Sequence, residues 1–197
     1  MNQVQVKELL IQSLQHERGG IQVYETALKC VQNEQLREEW QKYLAQTRNH
    51  ERILLQAFAK LSIDPEEASP GGLVVKHLGK ALVQAMEMAL KTAQPAAAEL
   101  VACECVVLAE TKDHADWELI SKCAEKGTGQ QAKVLKEAAQ EVEEEEDEHL
   151  YHSKGWCREL WFKSLGMKAV LPPPEERRHV TTAIGAARAE QASEHNR

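Results

Sequence analysis

Apolar residues recur every three or four positions along most of this chain, which is the period of helices that bury one face. The pattern predicts helices over residues 3–32, 35–61, 73–93, 96–125 and 130–165. Asp-Pro, Ser-Pro-Gly-Gly and Gly-Thr-Gly motifs separate several of these segments and are typical of turns. Strand-forming runs are nearly absent, so we predict an all-α protein.

Acidic and histidine side chains interrupt the apolar stripes at positions that the helical period assigns to the core. They are Glu17, His50, Glu104, Glu146 and His149. Because an ionised carboxylate buried alone is very costly, repeated ones require a proton, a base or a metal ion as partner. Their convergence inside one helical bundle would form a metal site.

The order of the predicted helices indicates two helical hairpins. The short turn at Asn33 predicts that the first two helices form an antiparallel pair, and the segment 73–93 is predicted to lie in a long crossover to the last two helices. Each half contains a helix with a core Glu followed by a helix with a core His. Residues 1–165 are therefore predicted to form the bundle. Residues 166–197 are predicted to form a tail in which a Pro-Pro-Pro spacer leads to a peripheral helix or a frayed end.

Charge and composition exclude several classes of function. A net charge of −7 argues against a nucleic-acid-binding protein, and no apolar stretch approaches the roughly 20 residues that span a bilayer. The polar first residues do not resemble a signal peptide. Five cysteines without a framework spacing are typical of a reducing compartment, so we expect a cytoplasmic protein.

The core acids follow a pattern of carboxylate-bridged di-metal bundles, in which two helices each supply a Glu and two others each supply Glu-x-x-His. Glu146-Asp147-Glu148-His149 fits the second motif, and the Glu17…Tyr24 and Ala102-Cys103-Glu104-Cys105 segments fit the first. Over about residues 3–160 the chain resembles the ferritin-like superfamily, in particular bacterial ferritin-like stress proteins and, more distantly, rubrerythrins. The resemblance implies an antiparallel four-helix bundle with a long crossover between its second and third helices. It also implies that metal ligands come from the set Glu17, His50, Glu104, Glu146 and His149.

The second helix departs from that pattern. Thr47 stands three residues before His50, where the family has a bridging Glu, and Glu51 lies about a hundred degrees round the helix. Two divalent ions carry four positive charges, whereas the three predicted Glu ligands supply three negative ones. A hydroxide or an external anion would balance the remaining charge, or the site would hold a single ion.

The resemblance implies a function as well as a fold. We expect one or two iron ions, with manganese or zinc as alternatives, between a Glu17–His50 pair and a Glu104–His149 pair that Glu146 bridges. The implied activity is a ferroxidase or peroxide-consuming oxidoreductase in a stress response, with oxygen, peroxide or metal ions as small-molecule ligands and a homodimer as the assembly. No catalytic residue is assigned.

Other readings of the same residues stay open. The alternative function is a metal-free helical scaffold or oligomerisation protein with a degenerate di-metal site, and a third hypothesis is a structural zinc or nickel site. Tyr24 is either a hydrogen-bond donor to a terminal carboxylate or a core aromatic residue. His152 is predicted to lie on the surface.

Overall fold

The computed structural model describes residues 1–168, and these residues form five helices and no strand. The prediction of an all-α protein is confirmed, and every predicted helix end lies within three residues of the observed one. None of these five helices is long and apolar enough to cross a membrane. The predicted tail lies almost entirely in residues 169–197, outside the described part of the chain. The helices are α1 (Gln3–Cys30), α2 (Glu34–Leu61), α3 (Pro70–Thr92), α4 (Pro95–Lys126) and α5 (Gly129–Ser164).

Capping side chains fix where the first three helices begin. The side-chain oxygens of Asn2, Asn33 and Ser69 accept hydrogen bonds from backbone N–H groups in the first turns of α1, α2 and α3. Pro70 and Pro95 occupy the first turns of α3 and α4, where a missing N–H group costs nothing. The helix boundaries are therefore encoded locally.

Four of the helices contact one another in a ring, in the order α1, α2, α5, α4 and back to α1. Two ion pairs show that α2 runs opposite to α1. Arg18 on α1 pairs with Glu51 on α2, whereas Glu25, further along α1, pairs with Arg48, which comes earlier on α2. Side-chain contacts between α1 and α4, between α2 and α5 and between α4 and α5 also show that the two helices of each pair run in opposite directions. Each helix of the ring is thus antiparallel to both of its neighbours.

Helix α3 carries the chain back along the outside of this ring, where it contacts α1 and α4. It runs parallel to α1, since Gly71 lies beside Gln12 and Gly79 lies beside Gly19. A Cβ atom on Gly79 would lie 3.3 Å from the Cα atom of Gly19, so the two backbones touch closely. The predicted crossover helix is present and spans the length that a return connection requires.

A layer of polar side chains divides the core into two apolar clusters. One cluster contains residues such as Tyr24, Trp40 and Val106. The other contains residues such as Leu10, Phe58 and Leu135. On each ring helix the residues of this layer fall between the stretches that supply the two clusters: Glu17 on α1, Thr47 and His50 on α2, Glu110, Asp113 and Asp116 on α4, and Glu146, His149, His152 and Ser153 on α5.

One buried carboxylate outside this layer ties the second half of the chain to the first. The Oε1 atom of Glu99, near the start of α4, accepts hydrogen bonds from the backbone N–H groups of Gln32 and Asn33, both at 2.7 Å. These groups belong to the turn between α1 and α2. Glu99 is 6% exposed, so water cannot easily replace it.

We expect Glu99→Ala to lower the free energy of unfolding by about 1–3 kcal/mol, because it leaves two N–H groups without an acceptor. Glu104→Ala on the exposed side of the same helix is the matched control and should change it by less than about 0.5 kcal/mol. Urea denaturation of both variants measures the difference. Equal effects would show that the turn is held by other contacts.

Candidate metal centre

The structure brings four of the five predicted site residues into the polar layer. Glu17, His50 and His149 each have no exposed surface, and Glu146 is 1% exposed. They come from α1, α2 and α5, which the ring arrangement places round a common interior. Whether these residues ligate an ion stays a prediction, but their positions meet the geometric requirement for it.

Glu146 lies at the middle of the cluster. Its Oε1 atom is 3.0 Å from Nδ1 of His50 and 3.7 Å from Nδ1 of His149. The same Nδ1 atom of His50 is also 3.9 Å from Oε1 of Glu17. The two imidazole rings are stacked with centroids 5.6 Å apart, so one carboxylate separates two histidines.

Glu104 does not belong to this cluster, and its assignment to the core face is wrong. Its side chain is exposed and accepts a hydrogen bond from the indole N–H of Trp161 at 3.1 Å. An apolar stripe that contains Glu104 continues through Leu108 and Leu119, which are 61% and 53% exposed. The buried face of α4 lies on another side of the helix, because α1, α3 and α5 all pack against it and the exposed leucines do not mark it.

The acids that α4 does supply are Glu110 and Asp113, which sequence reasoning missed. Both are 3% exposed, and Oε2 of Glu110 is 3.4 Å from Nδ1 of His149. Glu110, Glu146 and His149 each place one potential ligand atom within 4.8 Å of the other two. The sequence contained a signal for them: Glu110-x-x-Asp113 has the same three-residue spacing as Glu146-x-x-His149.

The two new acids also change the charge balance. Glu17, Glu110, Asp113 and Glu146 supply four negative charges, whereas the predicted set supplied three. Within residues 1–168, no lysine or arginine forms an ion pair with any of these four side chains. Asp113 compensates on α4 for the carboxylate that Thr47 lacks on α2. Four carboxylates match the charge of two divalent cations.

Hydrogen bonds on the outer side of each imidazole fix its orientation. Nε2 of His50 lies 2.7 Å from a carboxylate oxygen of Glu145, and Nε2 of His149 lies 3.0 Å from Oε1 of Gln46. Because both partners are acceptors, each Nε2 carries the proton and each Nδ1 keeps its lone pair. The side chain of Gln46 also donates to Glu145, so one network holds both rings with Nδ1 facing inward.

The inward-facing atoms approach one another without forming hydrogen bonds. In the part of the chain that the structure describes, seven buried carboxylate and imidazole atoms of this layer have no hydrogen-bond partner. These atoms are Oε2 of Glu17, Nδ1 of His50, Oε2 of Glu110, Oδ1 of Asp113, both carboxylate oxygens of Glu146 and Nδ1 of His149. Two donors about 2.1 Å from one ion lie roughly 3–4.2 Å apart, and the distances of 3.0–3.7 Å between the unpartnered atoms of Glu110, Glu146 and the two histidines fall in that range. The donor set and its spacing therefore fit metal ions.

The remaining oxygens of two acids are held by aromatic donors. The phenol of Tyr24 donates to Oε1 of Glu110 at 2.7 Å, and the indole N–H of Trp117 donates to Oε1 of Glu17 at 2.8 Å. Of the two alternatives for Tyr24, the structure shows the hydrogen-bond donor. Each of these carboxylates is thus fixed through one oxygen and left with the other free to bind.

Burial dominates the protonation of the cluster. It raises the pKa of Glu17 and Glu146 well above 4.5 and that of Asp113 well above 3.8, and neighbouring carboxylates add to the effect. Burial acts in the same direction on Glu110, but the neighbouring imidazole of His149 and the hydrogen bond from Tyr24 outweigh it and lower its pKa. Without a cation, burial therefore favours the protonated form of Glu17, Asp113 and Glu146.

A second polar cluster extends from His149 towards the surface between α2 and α5. The ring of Tyr43 lies 4.2 Å from that of His149, and its hydroxyl donates to Glu39 at 2.5 Å. Glu39 also contacts His152 and accepts from Trp156 at 2.5 Å. The prediction that His152 lies on the surface is wrong, since it is 3% exposed. These residues join the centre to Glu39, whose side chain is 9% exposed.

Comparison with known proteins adds no relationship to this geometry: no family model, curated protein or solved structure matches the chain. The ferritin-like resemblance therefore stays a prediction. One of the segments that suggested it, the one around Glu104, lies outside the centre.

In the metal-free protein, stability should fall as pH rises from 6.5 to 8. Glu17, Asp113 and Glu146 have raised pKa values in the folded state, so that state binds more protons than the unfolded chain above pH 4.5. Burial lowers the pKa of His50 and, to about 4, that of His16, but this opposing effect is complete above pH 6.5. Each proton that the folded state alone retains lowers the free energy of unfolding by about 1.4 kcal/mol per pH unit. Urea denaturation with chelator present measures this slope, which Glu17→Gln should reduce and Glu104→Gln should not; a flat profile would contradict the raised pKa values.

Proposed function

We propose that this protein is a ferritin-like four-helix metalloprotein with a di-metal carboxylate–histidine centre for iron or manganese. The observation that carries the proposal is that, within the described residues, seven carboxylate and imidazole atoms of the polar layer have no partner, while atoms of Glu110, Glu146 and the two histidines approach one another to 3.0–3.7 Å. An ordinary buried polar cluster satisfies such atoms with one another, because each unsatisfied one costs about 1–3 kcal/mol. Cations would satisfy all of them at once.

The residues divide into two half-sites that share Glu146. Glu17 and His50 would hold one ion, and Glu110 and His149 the other, with Glu146 between them. Asp113 brings the fourth carboxylate, and its charge acts on both Glu110 and Glu146. The mixed oxygen and imidazole donors suit iron and manganese in more than one oxidation state.

The proposed activity is oxidoreductase chemistry of the ferroxidase or peroxide-consuming class. Two ions that each give up one electron would supply the two electrons that reduce peroxide, with two protons, to two waters. The chain's own part is to orient and to move protons. Tyr24 and Trp117 hold one oxygen of Glu110 and of Glu17 in place. Tyr43, Glu39 and His152 form a hydrogen-bonded cluster beside the ring of His149, which would hold protons next to the centre.

Metal analysis of the purified protein tests the proposal. After reconstitution with Fe²⁺ without oxygen, or with Mn²⁺, we expect two ions per chain. Glu146→Ala should lose both because both half-sites use this carboxylate, whereas Glu110→Ala should affect the half-site of His149. Glu104→Ala, which changes an acid outside the centre, should bind as the wild type does.

No binding of Fe²⁺, Mn²⁺ or Zn²⁺ by the wild type would contradict the proposal and favour the metal-free scaffold. Binding of a single Zn²⁺ alone would favour a structural site. For a protein that binds two ions, consumption of peroxide by the Fe²⁺ form, followed with the oxidation of the metal, separates an oxidoreductase from a storage or transport site.

The outer hydrogen bonds give a second test. Glu145→Ala removes the acceptor that holds His50. We expect metal affinity to fall about 10–100-fold, as it does when other groups that hydrogen-bond to a metal-binding histidine are removed. Glu144→Ala changes the adjacent, exposed acid and should alter affinity less than threefold. Competition with a chromophoric chelator measures both. Equal affinities for the two variants would show that Glu145 does not orient a metal ligand.

A further inference from the structure

A polar cleft of about 140 Å³ lies between α4 and α5 on one side of the metal centre. Its outer part is accessible to solvent, since Glu118 and Asp147 have side chains that are 68% and 50% exposed. Its inner part is buried, because Glu146 and Trp117 are 1% and 3% exposed. The chemically distinctive lining residues are His114, Trp117, Glu118, Glu143, Glu146 and Asp147.

The inner end of the cleft reaches the centre itself. Glu146 lines the cleft, and neither of its carboxylate oxygens has a hydrogen-bond partner among residues 1–168. Trp117 forms the adjoining wall and donates to Glu17. A cation that passed through the cleft would therefore arrive at the carboxylate that both half-sites share.

The cleft attracts cations along its whole depth. Four carboxylates line it, no lysine or arginine does, and the imidazole of His114 lies 3.7 Å from Glu118 and 3.5 Å from Asp147. Charges of one sign that line a cleft with walls of low dielectric constant concentrate the electric field there. They thereby raise the local concentration of counter-ions. By contrast, the cavity of about 260 Å³ between α1, α3 and α4 has mainly apolar walls, a lysine and no carboxylate.

The cleft also accounts for the acidic run on α5. Glu143, Glu146 and Asp147 share one face at spacings of three and four residues, and that face forms the cleft. Two other acids of the run have separate partners, since Glu145 binds His50 and Glu148 binds Lys42. Five of the six consecutive acidic residues at positions 143–148 thus either line the cleft or contact a basic side chain.

We propose that this cleft is the access route by which hydrated divalent cations reach the buried centre, with Glu118, Glu143, Asp147 and His114 forming an outer transit site and Glu146 the inner one. The proposal rests on the metal centre proposed above. It assigns to the outer acids a role in the rate of metal uptake rather than in the affinity or the number of ions.

Stopped-flow mixing of metal-free, full-length protein with Co²⁺ tests the route through the quenching of tryptophan fluorescence. In Glu118→Gln/Glu143→Gln we expect the association rate at low ionic strength to fall about tenfold or more, with a weaker salt dependence and an unchanged stoichiometry. Glu38→Gln/Glu144→Gln removes the same charge from exposed positions that do not line the cleft. Its rate should stay within twofold of the wild type.

The outcomes separate the two proposals. Equal association rates in the cleft and control variants, with normal binding at equilibrium, would overturn the access route and leave the metal centre standing. A reduced stoichiometry in the cleft variant would also overturn it, because the outer acids would then be permanent ligands. Failure of the wild type to bind Co²⁺ at equilibrium would overturn the centre, and the route with it.

Discussion

Four carboxylates lie in the middle of this helical protein with no lysine or arginine paired to them in the described residues, and this constraint shapes the rest of the structure. An uncompensated buried charge costs several kcal/mol even after relaxation. The protein lowers that cost only in part, through Tyr24 on Glu110 and Trp117 on Glu17. The remaining carboxylate and imidazole atoms have no partner in the described residues, and protons, water molecules or cations would satisfy them.

The surrounding fold positions these groups accurately. Two apolar clusters, one on each side of the polar layer, fix the four ring helices against one another. Glu99 joins the start of α4 to the turn between α1 and α2, and α3 packs closely on α1 at a pair of glycines. Rigid helices and a hydrogen-bonded outer layer hold these side chains in place without an ion, which the proposed metal centre requires of a preorganised site.

Much of this arrangement could be predicted from the sequence. Helical period and breaker residues gave all five helices, because amphipathic stripes and capping residues act locally. Glu17, His50, Glu146 and His149 were recognisable because each interrupts an otherwise apolar stripe of a helix with one buried face.

The buried face of α4 was harder to predict because three helices pack against it. Its buried arc is therefore wide, and its exposed leucines have the spacing of an apolar stripe. Glu104 was therefore chosen over Glu110, six residues and about 240 degrees round the helix away. Asp113 was missed with it. The role of the outer acids on α5 required coordinates, since a run of acids has no preferred direction until a partner helix provides one. The wider relationship suggested by the pattern receives no independent support from known families.

Anomalous X-ray diffraction from crystals grown with Mn²⁺ or anaerobic Fe²⁺ tests the central claim most directly. We expect two anomalous peaks, one on each side of the Glu146 carboxylate, with one beside His50 and the other beside His149. Well-ordered crystals with no peak between the ring helices, and with protons or waters satisfying the seven ligand atoms, would contradict it.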